Sequence, residues 1–400
     1  MNTAQTELSY AASAYDSTNI PSQPPHRWRE DENRTGLRRT QLNWGYYAGL
    51  NPWQLVDGQL RGQEQTWLER TGDTDVYCNH QRWRFENFNR ILILAPFFKY
   101  ISLLLLPWLF AVVSLLEFFP EVELAYFVMA FAALPLCAFS AWLYWGRGLK
   151  AYLYLMSLPL ALAALGGAYN YFDSGDYASL VMCGYIVLAV SMGAVGFDFL
   201  LDLYLRLFKH DGSEINRQTG MVTIARRFRQ PFVAPFYEFD ATMEYRPDPL
   251  GGGGMALWLY HRYTTCKVFL GGKLHPLGLK PEEAMAFWDC MQRYMDVSQP
   301  LPELPVLEQF RHLDQTSAQY DAKKAKPSRR WRDFDPRAWQ ERGLPDVMRR
   351  NAAYRWQQRP CILRARIDPE LSIETYYREQ EARGIQATPR ADDYDNVHRG

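Results

Sequence analysis

Seven histidines (His26, His80, His210, His261, His275, His312 and His398) and six cysteines (Cys78, Cys137, Cys183, Cys266, Cys290 and Cys361) are the side chains best suited to hold a metal or to serve as base and nucleophile. Their spacing supports neither role. No HExxH pair puts two imidazoles on one helix face, no cysteine–histidine set has zinc spacing, and no CxxC occurs. His261, followed by Arg262 in a β-prone run, reads as a satisfied histidine. The glycines at 251–254 and the GGK at 271–273 lack the Lys-Ser/Thr of a phosphate loop, and no GxSxG elbow is present. The sequence therefore offers no catalytic, cofactor-binding or metal site. The expectation is a protein that is not an enzyme and carries no cofactor, with its cysteines as structural thiols.

Ionisable residues next to long apolar runs raise a different chemistry. Asp198, Asp202 and Arg206 stand at i, i+4 and i+8, on one face of a helix. Such residues in a membrane segment can mark an ion or proton path. A candidate interfacial ion pair is the preferred reading, because the acids sit at the end of the run and no matched broken helices accompany them. Arg82, Arg84, Arg90, Lys99, Arg147 and Lys150 flank apolar runs and are candidate lipid-headgroup contacts.

The elements that would position these groups are four runs at 100–119, 124–145, 151–171 and 178–197. Each has the roughly 20 residues that a bilayer crossing requires. Only Glu117, at the end of the first, is charged. Basic residues precede the first run, lie between the second and third (Arg147, Lys150) and follow the fourth (Arg206, Lys209, Arg217). Acids fill the other two turns (Glu121, Glu123; Asp173, Asp176). Positive charge stays inside, so the expectation is two antiparallel helical hairpins in a bacterial inner membrane, multi-pass, with N- and C-terminus cytoplasmic. Ala163 with Gly167 and Ala189 with Gly193 would let the helices approach closely. With no signal peptide evident, the first span would act as an uncleaved anchor.

The expected division is a cytoplasmic N-terminal segment (1–95, disordered to about residue 40 on its polar, proline-containing composition), a transmembrane domain (96–205), a sheet-helix domain (206–300) and a basic tail (301–400). Turn formers at 214–220 followed by MVTIA at 221–225 predict a hairpin. Residues 239–246 alternate apolar and polar like a half-buried strand, and 256–270 is β-prone. Pro281 with Glu282 and Glu283 opens a helix, and Ala284, Trp288, Met291 and Met295 form its apolar stripe. This order, an antiparallel meander closed by one helix, is similar to a pleckstrin-homology-like (PH-like) domain. The fold class expected is thus membrane α-helical plus a cytoplasmic α+β domain. Beyond the PLPELP linker, Lys323, Lys326, Arg330, Arg350 and further basic residues interleave with Trp331, Trp339 and Trp356, a composition that can bind anionic groups. Zero net charge argues against a nucleic-acid partner.

The phrases EINRQTGMVTIARR, FYEFDATMEY, LYHRYTT and PEEAMAFWDCMQRYMDVSQPLPE, between 208 and 313, resemble an uncharacterised proteobacterial family of four-span inner-membrane proteins associated with type VI secretion effector and immunity loci. The resemblance implies an accessory or immunity role and brings no catalytic residues. The resulting expectation is a non-enzymatic inner-membrane scaffold. Its partners would be the lipid bilayer and a protein, such as a secretion effector or its carrier, with a homo-oligomer compatible. Immunity against a membrane-targeting toxin is the alternative reading, and a small transporter or channel built on Asp198 and Asp202 the second.

Overall fold

A computed structural model describes residues 10–25, 39–61, 77–86, 210–247 and 253–385, single positions within these stretches apart, and residues 172 and 203 in isolation. The chain divides into two compact units, one of residues 1–87 with 210–400 and one of residues 88–209. Nearly all described residues belong to the first unit.

That unit contains two four-stranded antiparallel sheets. The first has the order β1 (Arg39–Gln41), β6 (Phe239–Pro247), β7 (Gly253–His261), β8 (Lys267–Phe269). The second has β2 (Arg82–Glu86), β3 (His210–Asn216), β4 (Met221–Arg226), β5 (Arg229–Pro235). The hairpin expected at 214–225 is the β3–β4 pair, closed by a four-residue turn in which Gly220 takes φ +69°. A Cβ there would lie 2.4 Å from the Ser13 carbonyl, so glycine is required by both conformation and space. Alternation along β6 sends Phe239, Ala241 and Met243 into the core, where they meet Leu257 and Leu259 of β7.

Helix α1 (Trp53–Arg61) precedes β2, and helix α2 (Pro281–Met295) follows the sheets. Proline at the first turn of α2 and Glu282 and Glu283 beside it suit an N-terminus, where the proline N–H would be unpaired anyway and the dipole favours acids. The apolar stripe Ala284, Trp288, Met291 and Met295 is buried, as its spacing indicates. The opposite face is buried too. Its polar side chains bind the main chain of residues 43–54: Gln292 Oε1 accepts from the Gly45 N–H (2.8 Å), Asp289 from Ala48 and Leu50 (2.7 and 2.9 Å), and Glu283 from Gln54 (2.8 Å). Trp288 Nε1 donates to the Asn43 carbonyl (2.9 Å). The segment thus satisfies its backbone on a helix instead of in a sheet.

After α2 the chain runs through a 3-10 helix (Pro305–Leu313), α3 (Gln315–Lys324), α4 (Leu344–Ala353) and α5 (Ile373–Ala382). Arg217, in the β3–β4 turn, is fully buried among them. It donates to Asp314 (2.9 and 3.3 Å), to the Tyr294 and Asp296 carbonyls at the end of α2 (2.6 and 2.8 Å) and to the Gln299 carbonyl (2.7 Å). Asp314 also caps α3 through the Ser317 N–H (3.0 Å) and accepts from Tyr10 (2.8 Å). Burial pushes the Asp314 carboxyl up, but the Arg217 guanidinium and the Ser317 and Tyr10 hydrogen bonds carry it below its ordinary value.

Several expectations are corrected. The expected fold class, a helical membrane domain with a short PH-like meander, is not what the described residues form: they make two antiparallel sheets, each completed by a strand from before residue 87. The physical reason is long-range pairing, which local periodicity does not encode. Residues 10–25, expected to be disordered, place Tyr15, Ile20 and Gln23 in the core. Trp83 and Phe85, which lie between and beside Arg82 and Arg84, belong to strand β2 and are fully buried. Arg217, counted with the inside-facing basic residues, is a buried ion-pair partner. The assignment to a multi-pass inner-membrane protein is overturned by the described residues, among which no helix is long and apolar enough to cross a membrane. That assignment extended to the whole chain a property of its uncharged runs, whereas the described residues bury their apolar side chains in a core of their own. The runs at 100–119, 124–145, 151–171 and 178–197 lie outside the described residues.

Two stability outcomes follow from these contacts. Arg217→Met removes one member of a buried pair and should cost about 3–5 kcal/mol in denaturant unfolding, because it strands Asp314 and the α2 carbonyls. An unchanged midpoint would contradict the role given to Arg217. Burial raises the Glu283 carboxyl to about 7, so the folded protein holds a proton that the unfolded chain has released between about pH 4.5 and 7. Stability from this site is complete below that window and falls as pH rises through it. Glu283→Gln should therefore raise the melting temperature at pH 8 and leave it little changed at pH 4, as thermal melts across pH will show.

Candidate functional site

The described residues hold one buried constellation with acid–base geometry. His261 Nε2 lies 2.8 Å from Glu238 Oε2, and its Nδ1 lies 2.9 Å from Thr264 Oγ1. Both His261 and Glu238 are fully buried. Helix α5 closes over them, with Tyr376 and Tyr377 donating to the Glu238 carboxylate (2.7 and 2.9 Å) and Gln380 accepting from Tyr237 (3.1 Å). A carboxylate, an imidazole and a hydroxyl in line can activate a nucleophile, but a substrate must reach it. Here His261, Glu238 and Thr264 are all 0% exposed and bonded to protein partners, so this network ties α5 to the sheet. His261 is the satisfied histidine that its neighbours in sequence suggest.

The open site lies elsewhere, between the 3-10 helix, α3, the 325–332 loop and α4. Two cavities of about 640 and 510 Å³ adjoin there and share the wall formed by Glu303, Arg311, Lys326, Arg330 and Trp331. Seven cationic side chains line the pair of cavities, including Arg293, Arg329, Arg332 and Arg350, against the four carboxylates Glu303, Glu308, Asp321 and Asp346. The floor is apolar and aromatic. Trp331 and Trp339 meet edge to face at 5.7 Å and are both almost fully buried. Trp339 is fixed to α1 through Nε1 to Asp57 (3.2 Å).

The charges are partly committed. Arg311 binds Asp321 with two parallel bonds of 2.7 Å, a rigid fork that fastens the 3-10 helix to α3. Glu308 accepts from the Trp331 and Arg332 N–H groups (2.6 and 3.1 Å) and so pins the loop; burial raises its carboxyl above the ordinary value despite those bonds. Lys326 and Arg330 both donate to Glu303. Lys326 also lies over the Tyr320 ring (4.9 Å) and Arg330 over Trp331 (5.5 Å). Burial and the neighbouring Arg330 cation pull the Lys326 ammonium below its ordinary range. Arg350 has no ion-pair partner among the described residues.

Of the residues singled out in the sequence, Arg82 and Arg84 stand on β2, where Arg82 approaches Glu214 (3.8 Å). Asp198, Asp202, Arg206, Arg90, Lys99, Arg147 and Lys150 lie outside the described residues, so the ion pair and the transporter reading built on them lie outside as well. The basic tail supplies Lys326, Arg330 and Arg350 to the cleft, and Trp331 and Trp339 form the floor. Glu303, Arg311 and Asp321 were not legible as site residues. Glu303 is the one acid of the PLPELP stretch, which is not a free linker: Leu301 and Leu304 are buried. Among the described residues no group of three metal-ligating side chains occurs, and no disulfide joins Cys78, Cys266, Cys290 or Cys361. Burial pushes the Cys290 thiol up to about 12, which removes it as a nucleophile.

Comparison with protein-family models, curated proteins and solved structures finds no match.

Glu308→Ala should free the loop that carries Trp331. Hydrogen exchange at the Trp331 and Arg332 amides should then speed up at least tenfold while α2 stays protected. Equal exchange in both proteins would mean that Glu308 does not hold the loop.

Proposed function

We propose that the unit built from residues 1–87 and 210–400 is a non-catalytic binding module that seats a protein partner in the basic–aromatic cleft. The observation that carries this reading is the cleft's composition: a surplus of cations on the rim over an apolar floor, among them Arg350, which has no ion pair among the described residues. Interfaces draw on arginine and aromatic residues in this way, and their energy concentrates at a few such positions. Burial beneath α5 of the acid–base constellation found among the described residues supports binding over catalysis.

The module is discontinuous, so the test uses the full chain. A partner co-purified with the parent protein should be lost, with affinity down at least tenfold, when Arg330→Glu and Arg350→Glu are combined. The melting temperature should stay close to the parent's, because both side chains lie at the rim. Undiminished recovery of the partner would refute docking in the cleft.

A further inference from the structure

We infer that Glu303 is a built-in substitute for a partner's carboxylate, and that the cleft takes an acidic peptide segment whose Asp or Glu side chain replaces it on Lys326 and Arg330. This inference rests on the binding-module reading and names the ligand of that cleft.

Glu303 differs from the other three acids at the site. Asp321 holds Arg311 in a two-bond fork, Glu308 binds main-chain amides, and Asp346 pairs with Arg349 within α4 (3.3 Å). Each of these contacts braces an element of the fold. Glu303 is the only carboxylate in the wall that both cavities share, and it gives one oxygen to Lys326 and the other to Arg330. Its side chain is 29% exposed and that of Arg330 54%. Ion pairs so open to water contribute at most about 1 kcal/mol, so exchanging one carboxylate for another costs little.

The two cations stay positioned when the carboxylate leaves. Tyr320 lies under Lys326 and Trp331 under Arg330, which lowers the ordering cost that a ligand meets. A peptide suits the site better than a nucleic acid. Trp331 and Trp339 are buried and present no open ring face for a base to stack on. Carboxylates stand among the cations, and the chain's net charge of zero provides no long-range attraction for a polyphosphate. A carboxylate flanked by apolar side chains matches a basic rim over an apolar floor.

The test titrates the full chain with a synthetic peptide rich in Glu and Leu, with its Gln counterpart, and with inorganic phosphate. The parent protein should bind the Glu peptide and not the Gln peptide. Glu303→Gln should tighten binding about tenfold, equivalent to about 1.4 kcal/mol, although it removes two ion pairs. Weaker or equal binding by Glu303→Gln overturns the inference. The double variant Lys326→Gln/Arg330→Gln reads the same site from the other side and should abolish binding, even if Glu303→Gln proves too unstable to titrate. Survival of binding in the double variant also overturns the inference, as does phosphate binding as tight as that of the peptide. Should the Glu peptide fail while Arg330→Glu/Arg350→Glu still strips a co-purified partner, the ligand assignment falls and the binding module stands. Failure of both removes both.

Discussion

Every N–H direction of the Arg217 guanidinium meets an acceptor, and those acceptors come from separate parts of the chain. The side chain starts in the β3–β4 turn, reaches the last carbonyls of α2, continues to the turn at Gln299 and ends on Asp314, the cap of α3. A charge buried this deeply is tolerable only because each donor is satisfied and the counter-charge lies 2.9 Å away. It stabilises the α2 terminus, where the helix leaves carbonyls unpaired and its dipole favours a cation. Through Asp314 it also holds the point where the 3-10 helix ends and α3 begins, and those two elements carry Arg311, Asp321 and Glu308 of the cleft. The binding face therefore depends on a residue that does not touch it.

Around that anchor the unit is assembled across long sequence distances. Strand β2 pairs with β3 in a register that joins Arg82 to Asn216, and β1 pairs with β6 from Arg39 to Glu244. The local elements could be read directly: the 214–225 hairpin, the alternation along β6, and the start and apolar stripe of α2. Each is written in a short window of turn formers or periodic apolar residues. The partners of those elements were not legible. Glu283, Asp289 and Gln292 look like the solvent face of an amphipathic helix, yet they accept hydrogen bonds from residues 45–54. A polar side chain in a helix reads the same way whether water or a distant backbone satisfies it.

The candidate site shows the same limit in its charges. Read along the chain, residues 322–366 form a basic run with interleaved tryptophans, which suggests a surface tail. In space the run folds back on Glu303 and Glu308, both of which precede it, and Trp331 and Trp339 turn inward. Net charge in a window of sequence therefore overstates the field that a ligand meets. The cations that matter are those left with exposed or single carboxylates after folding, and only the three-dimensional pairing identifies them.

The two polar clusters of the unit also differ in what they permit. Around Glu238 and His261 the hydrogen bonds to His261 and from Tyr376 are buried, and breaking any of these leaves a desolvated group that costs about 1–3 kcal/mol. Such a network favours one arrangement and holds α5 in place. Around Glu303 the ion pairs are open to water, where making and breaking them are nearly balanced. Exchange with an outside ligand is feasible only in the second environment. Acid–base geometry alone would direct attention to His261, whereas the energetics of access direct it to Lys326 and Arg330.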